Sequence, residues 1–312
     1  MKKDFLSIQD FTQDDIKAVF ALAKELKKDR LKCVDALKGK SIALIFQKPS
    51  NRTRVSFEAG IFQLGGQAIY LKPEDINIGV RESIKDVAQT LSRYLDAIIM
   101  RTFGHHIILE LAKHADIPVI NGLSDLLHPC QALSDIFTIA EKFEHVYANL
   151  SNATLAYVGD GNNVCHSLLY GAAMTGLNLR IATPRQYSPK KEIVKEALEL
   201  AKSTKAKIEL FNNVREAVKG CDVIYTDVWT SMGQEEEAAQ RKKAFYDYQI
   251  NRELLAAAAP GNPFVMHCLP AHRGEEITND VMDSDRSIIF EQAENRLHVQ
   301  KAILLLLLGG KS

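Results

Sequence analysis

The chain has few cysteines and no cysteine pattern: five in 312 residues, at positions 33, 130, 165, 221 and 268, with no Cys-x-x-Cys pair. An odd, scattered set excludes a disulfide framework and a zinc ribbon and points to a reducing compartment. Long hydrophobic runs are missing as well. The longest, Ala302 to Leu308, falls far short of the roughly 20 residues a membrane helix needs. Met1-Lys2-Lys3-Asp4 leads into amphipathic sequence and not into the apolar core of a signal peptide, so a soluble, cytoplasmic protein is expected. Neither sign of charge is in excess, 39 Lys+Arg balancing 39 Asp+Glu, which removes the global basic field that nucleic-acid binding uses. Repeats and low-complexity tracts are absent. What is present is a globular composition, 46% hydrophobic and 25% charged, in a length suited to two domains.

Apolar periodicity organises the chain. Residues 41–46, 67–71, 96–100 and 117–120 read as strands. Helical stripes lie between and after them, at Val55, Ala59 and Phe62, at Ile84, Val87, Leu91 and Leu95, over 105–115, and at Leu133, Ile136, Phe137 and Ala140. Ser83 with Asp86 marks a helix start. The pattern restarts with strands at 154–158, 179–182, 207–211, 222–226 and 264–268, and with helices at 190–202 and 214–219. Such alternation predicts an α/β chain of two doubly wound parallel-sheet domains, 1–145 and 146–290, with a cleft between them as the ligand site. Residues 291–312 should form a C-terminal helix crossing back onto the first domain. Gly233 to Asp247, charged and poor in strand signals, reads as a mobile excursion.

Chemistry-bearing residues fall where strands end. Ser50-Asn51-Arg52-Thr53-Arg54 separates the first strand from the first crossover helix. A polar cap, orphan helix N–H groups and two arginines suit a phosphate, against the plainer reading of a cap with solvated charges. Met100-Arg101-Thr102 and His128-Pro129-Cys130-Gln131 open on the same sheet edge. In the second half, Gly159-Asp160-Gly161-Asn162-Asn163-Val164 imitates a dinucleotide turn. It lacks the third glycine, and the next strand ends in Thr183-Pro184-Arg185 without a ribose-binding acid. Asp227-Val-Trp-Thr-Ser231-Met232-Gly233 and His267-Cys268-Leu269-Pro270 follow two further strands. Asp227 alone could be a loop cap and Cys268 a core residue. His267, Cys268 and His272 supply no fourth ligand, so no metal is expected.

Taken together these motifs resemble the aspartate/ornithine carbamoyltransferase family, its ornithine branch above all. Residues 50–54 match the family's Ser-Thr-Arg-Thr-Arg, 128–131 its His-Pro-Cys-Gln, Asp227 with 231–233 its Asp-x-x-x-Ser-Met-Gly, 267–270 its His-Cys-Leu-Pro, and Glu294-Asn295-Arg296 its late arginine. The resemblance implies transfer of a carbamoyl group from carbamoyl phosphate to the δ-amine of L-ornithine, giving citrulline and phosphate without cofactor or metal. It implies a homotrimer, or a multiple of trimers, with active sites at subunit interfaces. Carbamoyl phosphate would be bound by Ser50, Asn51, Arg52, Thr53, Asn77, Arg101, His128, Gln131, Cys268, Leu269 and Arg296. Ornithine would be bound by Asn163, Asp227, Ser231 and Met232. Arg101, His128, Cys268 and Asp227 would be catalytic, and Gly233 would let the Ser-Met-Gly loop close. Asn51 departs from the family's threonine, and Asn77 from a glutamine that reaches a neighbouring subunit. Rival readings are a sister enzyme acting on aspartate, putrescine or an acetylated ornithine, a nicotinamide-dependent oxidoreductase, and a catalytically silent subunit.

Overall fold

The computed structural model describes residues 3–143, 150–231, 233 and 235–309. The chain divides into two compact units, Met1–Phe137 with Glu294–Ser312, and Thr138–Ala293.

The first unit is built on four parallel strands, β1 (Ser41–Phe46), β2 (Gln67–Leu71), β3 (Ala97–Arg101) and β4 (Val119–Leu123), in the order β2-β1-β3-β4. β3 is buried at every position and β1 at all but its first, as expected of parallel strands covered on both faces. β4 begins two residues later and runs three further than its apolar run suggests. Its extension holds Asn121, a poor strand residue, whose side-chain NH2 donates to Leu6 O at 3.0 Å. The helix Arg52–Gln63 packs against the late part of the helix Ile289–Leu308 at Gly60, where a Cβ would lie 3.0 Å from Lys301 Cγ. Lys301 Nζ donates there to Arg30 O at 2.6 Å and Gln63 Oε1 at 3.0 Å.

The second unit holds β5 (Thr154–Val158), β6 (Asn178–Ala182), β7 (Ile208–Phe211), β8 (Val223–Thr226) and β9 (Phe264–His267), all parallel, in the order β7-β6-β5-β8-β9. The stretch from Gly233 to Asp247 is not the unstructured excursion its composition suggests. It carries the helix Ala238–Ala244, and Arg241 on that helix is buried. Arg241 donates to Asp160 Oδ2 at 2.9 Å, to Glu237 Oε2 at 3.0 Å and to Trp229 O at 3.1 Å. One charged side chain thereby ties the segment to the loop after β5.

Candidate active site

Strand order decides where each unit offers a ligand site. In the first sheet the chain runs from β1 to β2 on one side and then crosses to β3 on the other. The crevice at the carboxyl ends of β1 and β3 is therefore the topological switch point. Ser50 to Thr53 leave β1 there, and Arg101 ends β3. Ser50 Oγ accepts from Thr53 N at 3.2 Å, so Ser50 caps the helix Arg52–Gln63, while Asn51 takes a helical backbone and makes no side-chain cap bond. The β3–β4 register slips between Met100 and Arg101, which pairs with Leu123; such a bulge re-aims the side chain.

Arg101 is 6% exposed, and its guanidinium has no hydrogen-bond or ion-pair partner among the described residues. Burial, with Arg296 and Arg52 nearby, pushes its pKa down to about 10. His128 follows a tight turn in which Leu127 N donates to Ser124 Oγ at 3.1 Å and Ser124 N to Leu127 O at 2.9 Å. Pro129 then opens the helix Pro129–Lys142. Burial first, then Arg296, Arg101 and Arg52, hold the His128 imidazole well below its usual range, so it is neutral at pH 7. Arg296, 2% exposed on the C-terminal helix, donates through Nη1 to Gln131 Oε1 and through Nη2 to Thr53 Oγ1 at 3.1 Å. Gln131 Nε2 donates to Asp135 at 2.8 Å. One arginine from the end of the chain thus joins the two motifs at 50–53 and 128–131. Arg54 turns aside, bonded to Glu58 at 2.9 Å and lying over the Tyr70 ring at 3.5 Å. Asn77 sits on an exposed turn in the left-handed conformation, and no hydrogen bond links its side chain to the cluster.

The second sheet repeats the logic, with its switch point between β5 and β8. Asp227, just past β8, is 6% exposed and accepts from Asn162 Nδ2 at 2.7 Å, Val228 N at 2.8 Å and Cys268 Sγ at 2.9 Å. Asn162 also caps the helix Asn163–Thr175, accepting from Val164 N and Cys165 N. Sequence reasoning singled out Asn163 and passed over Asn162, although an asparagine directly before a helix is a cap signal. Ser231 lies further along the same loop, and Met232 falls outside the described residues. Leu269 has a left-handed backbone (φ 59°), and its N–H donates to His267 Nδ1 at 2.8 Å.

The dinucleotide-like turn has a different purpose. A Cβ on Gly161 would lie 2.3 Å from Pro189 N and 2.6 Å from Tyr187 O, and Gly161 N donates to Tyr187 O at 2.8 Å. The glycine admits a neighbouring loop of the same chain, whose Tyr187 carbonyl takes up the Gly161 N–H.

The neutral His128 has a measurable consequence. Its native pKa is depressed, so below about pH 6.5 the unfolded chain takes up a proton that the native state refuses. Stability therefore falls as the pH falls through this window, with a slope from this one group that approaches about 1.4 kcal/mol per pH unit at its acid end. Urea unfolding between pH 6.5 and 5 should show a pH slope flatter by that amount in His128→Gln than in the parent. Equal slopes would mean that His128 titrates normally in the folded protein.

Two family models match, the aspartate/ornithine carbamoyltransferase carbamoyl-P binding domain over residues 3–141 and the Asp/Orn binding domain over residues 151–307. The ornithine carbamoyltransferase of Oceanobacillus iheyensis is 52% identical over 309 residues, covering 98% of this chain and 94% of that one. That of Archaeoglobus fulgidus is 52% identical over 312 residues, covering 99% of each. Among solved structures, ornithine carbamoyltransferase from Pyrococcus furiosus superposes with a TM-score of 0.94 at 47% identity, covering 100% of this chain and 98% of that one. With both domain models matched in order and relatives at half identity over the full length, the chain belongs to the aspartate/ornithine carbamoyltransferase family.

Proposed function

We propose that the protein transfers the carbamoyl group of carbamoyl phosphate to the δ-amine of L-ornithine, giving L-citrulline and phosphate. The observation that carries this reading is the cationic cluster of Arg52, Arg101 and Arg296 at a helix N-terminus, in which Arg101 has no counter-charge among the described residues. Buried cations of this kind want an anion. A phosphate dianion supplies it, with Ser50, Asn51, Arg52 and Thr53 around the phosphate.

Arg101 and the neutral His128 point donors at the carbonyl oxygen as negative charge develops on it; one such donor is worth about 3 kcal/mol. Gln131 holds the donor's amide, Arg296, bonded to Gln131 and Thr53, adds its charge to the same site, and Leu269 and Cys268 belong to the same reading. The δ-amine attacks the carbonyl carbon, the bond to the phosphate oxygen breaks, and the amine's proton leaves. An alkylammonium has a pKa near 10.4, so presenting it neutral at pH 7 costs about 4.6 kcal/mol unless the site lowers that value. In our reading Asp227, with Asn162 and the Cys268 thiol on its oxygens, orients the amine and accepts its proton. Asn163, Ser231 and Met232 complete the ornithine side.

The same reading makes the enzyme a cytoplasmic member of arginine biosynthesis, in keeping with five cysteines that are all free. It also makes it a homotrimer or a multiple of trimers. Asn77 on an exposed turn, beside Val80 at 83% exposure, supports an interface there. Citrulline release with carbamoyl phosphate, measured in parallel with ornithine, aspartate, putrescine and N-acetylornithine, tests the assignment: ornithine alone should give substantial turnover. Preference for any of the other three amines would overturn it.

A further inference from the structure

We propose that His272, Glu275 and Glu276 form a site for a borderline divalent transition metal, of which zinc is the type, beside the turn that carries Cys268. These three residues offer ligand atoms that all lie within 4.8 Å of one another. Glu276 is fully buried; its Oε1 accepts from His267 Nε2 at 3.0 Å and from His272 N at 2.5 Å. Its Oε2 is sealed from solvent and has no hydrogen-bond partner among the described residues. A buried carboxylate oxygen without a donor is costly, and His272 Nδ1 lies 3.9 Å from it.

The geometry suits a tetrahedral ion. Metal–ligand bonds of about 2.0–2.2 Å put neighbouring ligand atoms about 3.4 Å apart, so His272 has about half an ångström to close. Its side chain is 51% exposed and free to rotate that far. The Glu275 carboxylate pairs with Lys242 at 3.1 Å, an exposed pair that a metal displaces readily. One imidazole and two carboxylates neutralise a divalent charge and leave a fourth position for water. The imidazole favours zinc, cobalt or nickel over magnesium or calcium.

The ligand set differs from the one suggested by His267, Cys268 and His272 in sequence. His267 cannot serve, because Nδ1 accepts from Leu269 N and Nε2 therefore carries the proton given to Glu276. Cys268 faces Asp227 instead. Glu276 also connects the site to the active-site turn: a metal on Oε2 holds the carboxylate whose other oxygen fixes His267, which in turn fixes Leu269.

Titration of tag-free, metal-stripped protein with Co²⁺ tests this, using wild type, Cys268→Ala, His272→Ala and Glu275→Gln. One equivalent should bind with the ligand-field spectrum of a four-coordinate nitrogen–oxygen site and no thiolate-to-cobalt charge-transfer band. Binding should persist in Cys268→Ala, weaken at least about tenfold in His272→Ala, and weaken in Glu275→Gln. Both altered ligands are partly exposed, and circular dichroism verifies the fold of each variant. Absence of saturable binding, binding undiminished in His272→Ala, or a charge-transfer band that disappears with Cys268 would each overturn the proposal.

Discussion

Arg101→Met lowers turnover by about 10²–10³ and at the same time raises the unfolding midpoint. The first effect is the loss of a preorganised donor aimed at the developing oxyanion. The second follows from what Arg101 lacks in the protein itself. It is buried and has no partner among the described residues, and burial first, then Arg296 and Arg52, brings its pKa down to about 10. Both folded and unfolded chains carry the charge at pH 7, so the depression is a native-state cost of about 3 kcal/mol. Methionine keeps much of the buried volume without the charge, and replacing a buried charge with an apolar side chain of similar size stabilises by about 1–4 kcal/mol. Chemical denaturation without substrates, together with steady-state kinetics, reads both effects. A destabilised variant, or one with unchanged turnover, would show that Arg101 is structural.

Asp227→Asn raises the KM for ornithine or lowers turnover, about a hundredfold in kcat/KM, and leaves carbamoyl phosphate affinity untouched. Three donors converge on the Asp227 carboxylate, from Asn162, Val228 and Cys268. An amide offers one acceptor oxygen in place of two and turns an NH2 toward donors, so stability also falls by about 1–3 kcal/mol. The loss toward ornithine follows from removing a charged acceptor that a cationic substrate needs. Calorimetry of carbamoyl phosphate and ornithine kinetics separate the two substrates. Equal damage to both would mean that Asp227 holds the fold and does not read the amine.

Much of the architecture was legible because apolar periodicity is a local property. β1, β2 and β5 occupy the residues their alternation marked, and most other strands shift by a single residue at an end. β4 was the poorest reading, since Asn121 owes its place to an acceptor 115 residues away, Leu6 O. The helix Ala238–Ala244 was missed for the same reason. Its charged residues look solvated until Arg241 meets Asp160, 81 residues distant, in a buried pair where Asp160 is pushed up to about 6 by burial.

The sequence alone determined which residues sit at strand ends and which family motifs they spell, because position along the chain and the order of strands and helices need only near neighbours. Tertiary structure decided what those residues do with one another. It made Ser50 and not Asn51 the cap, joined Thr53 to Gln131 through Arg296, set Asn162 against Asp227, and turned a nucleotide-like glycine into a packing contact. Charge, burial and hydrogen-bond partnership depend on groups far away in the chain, and no local pattern encodes them.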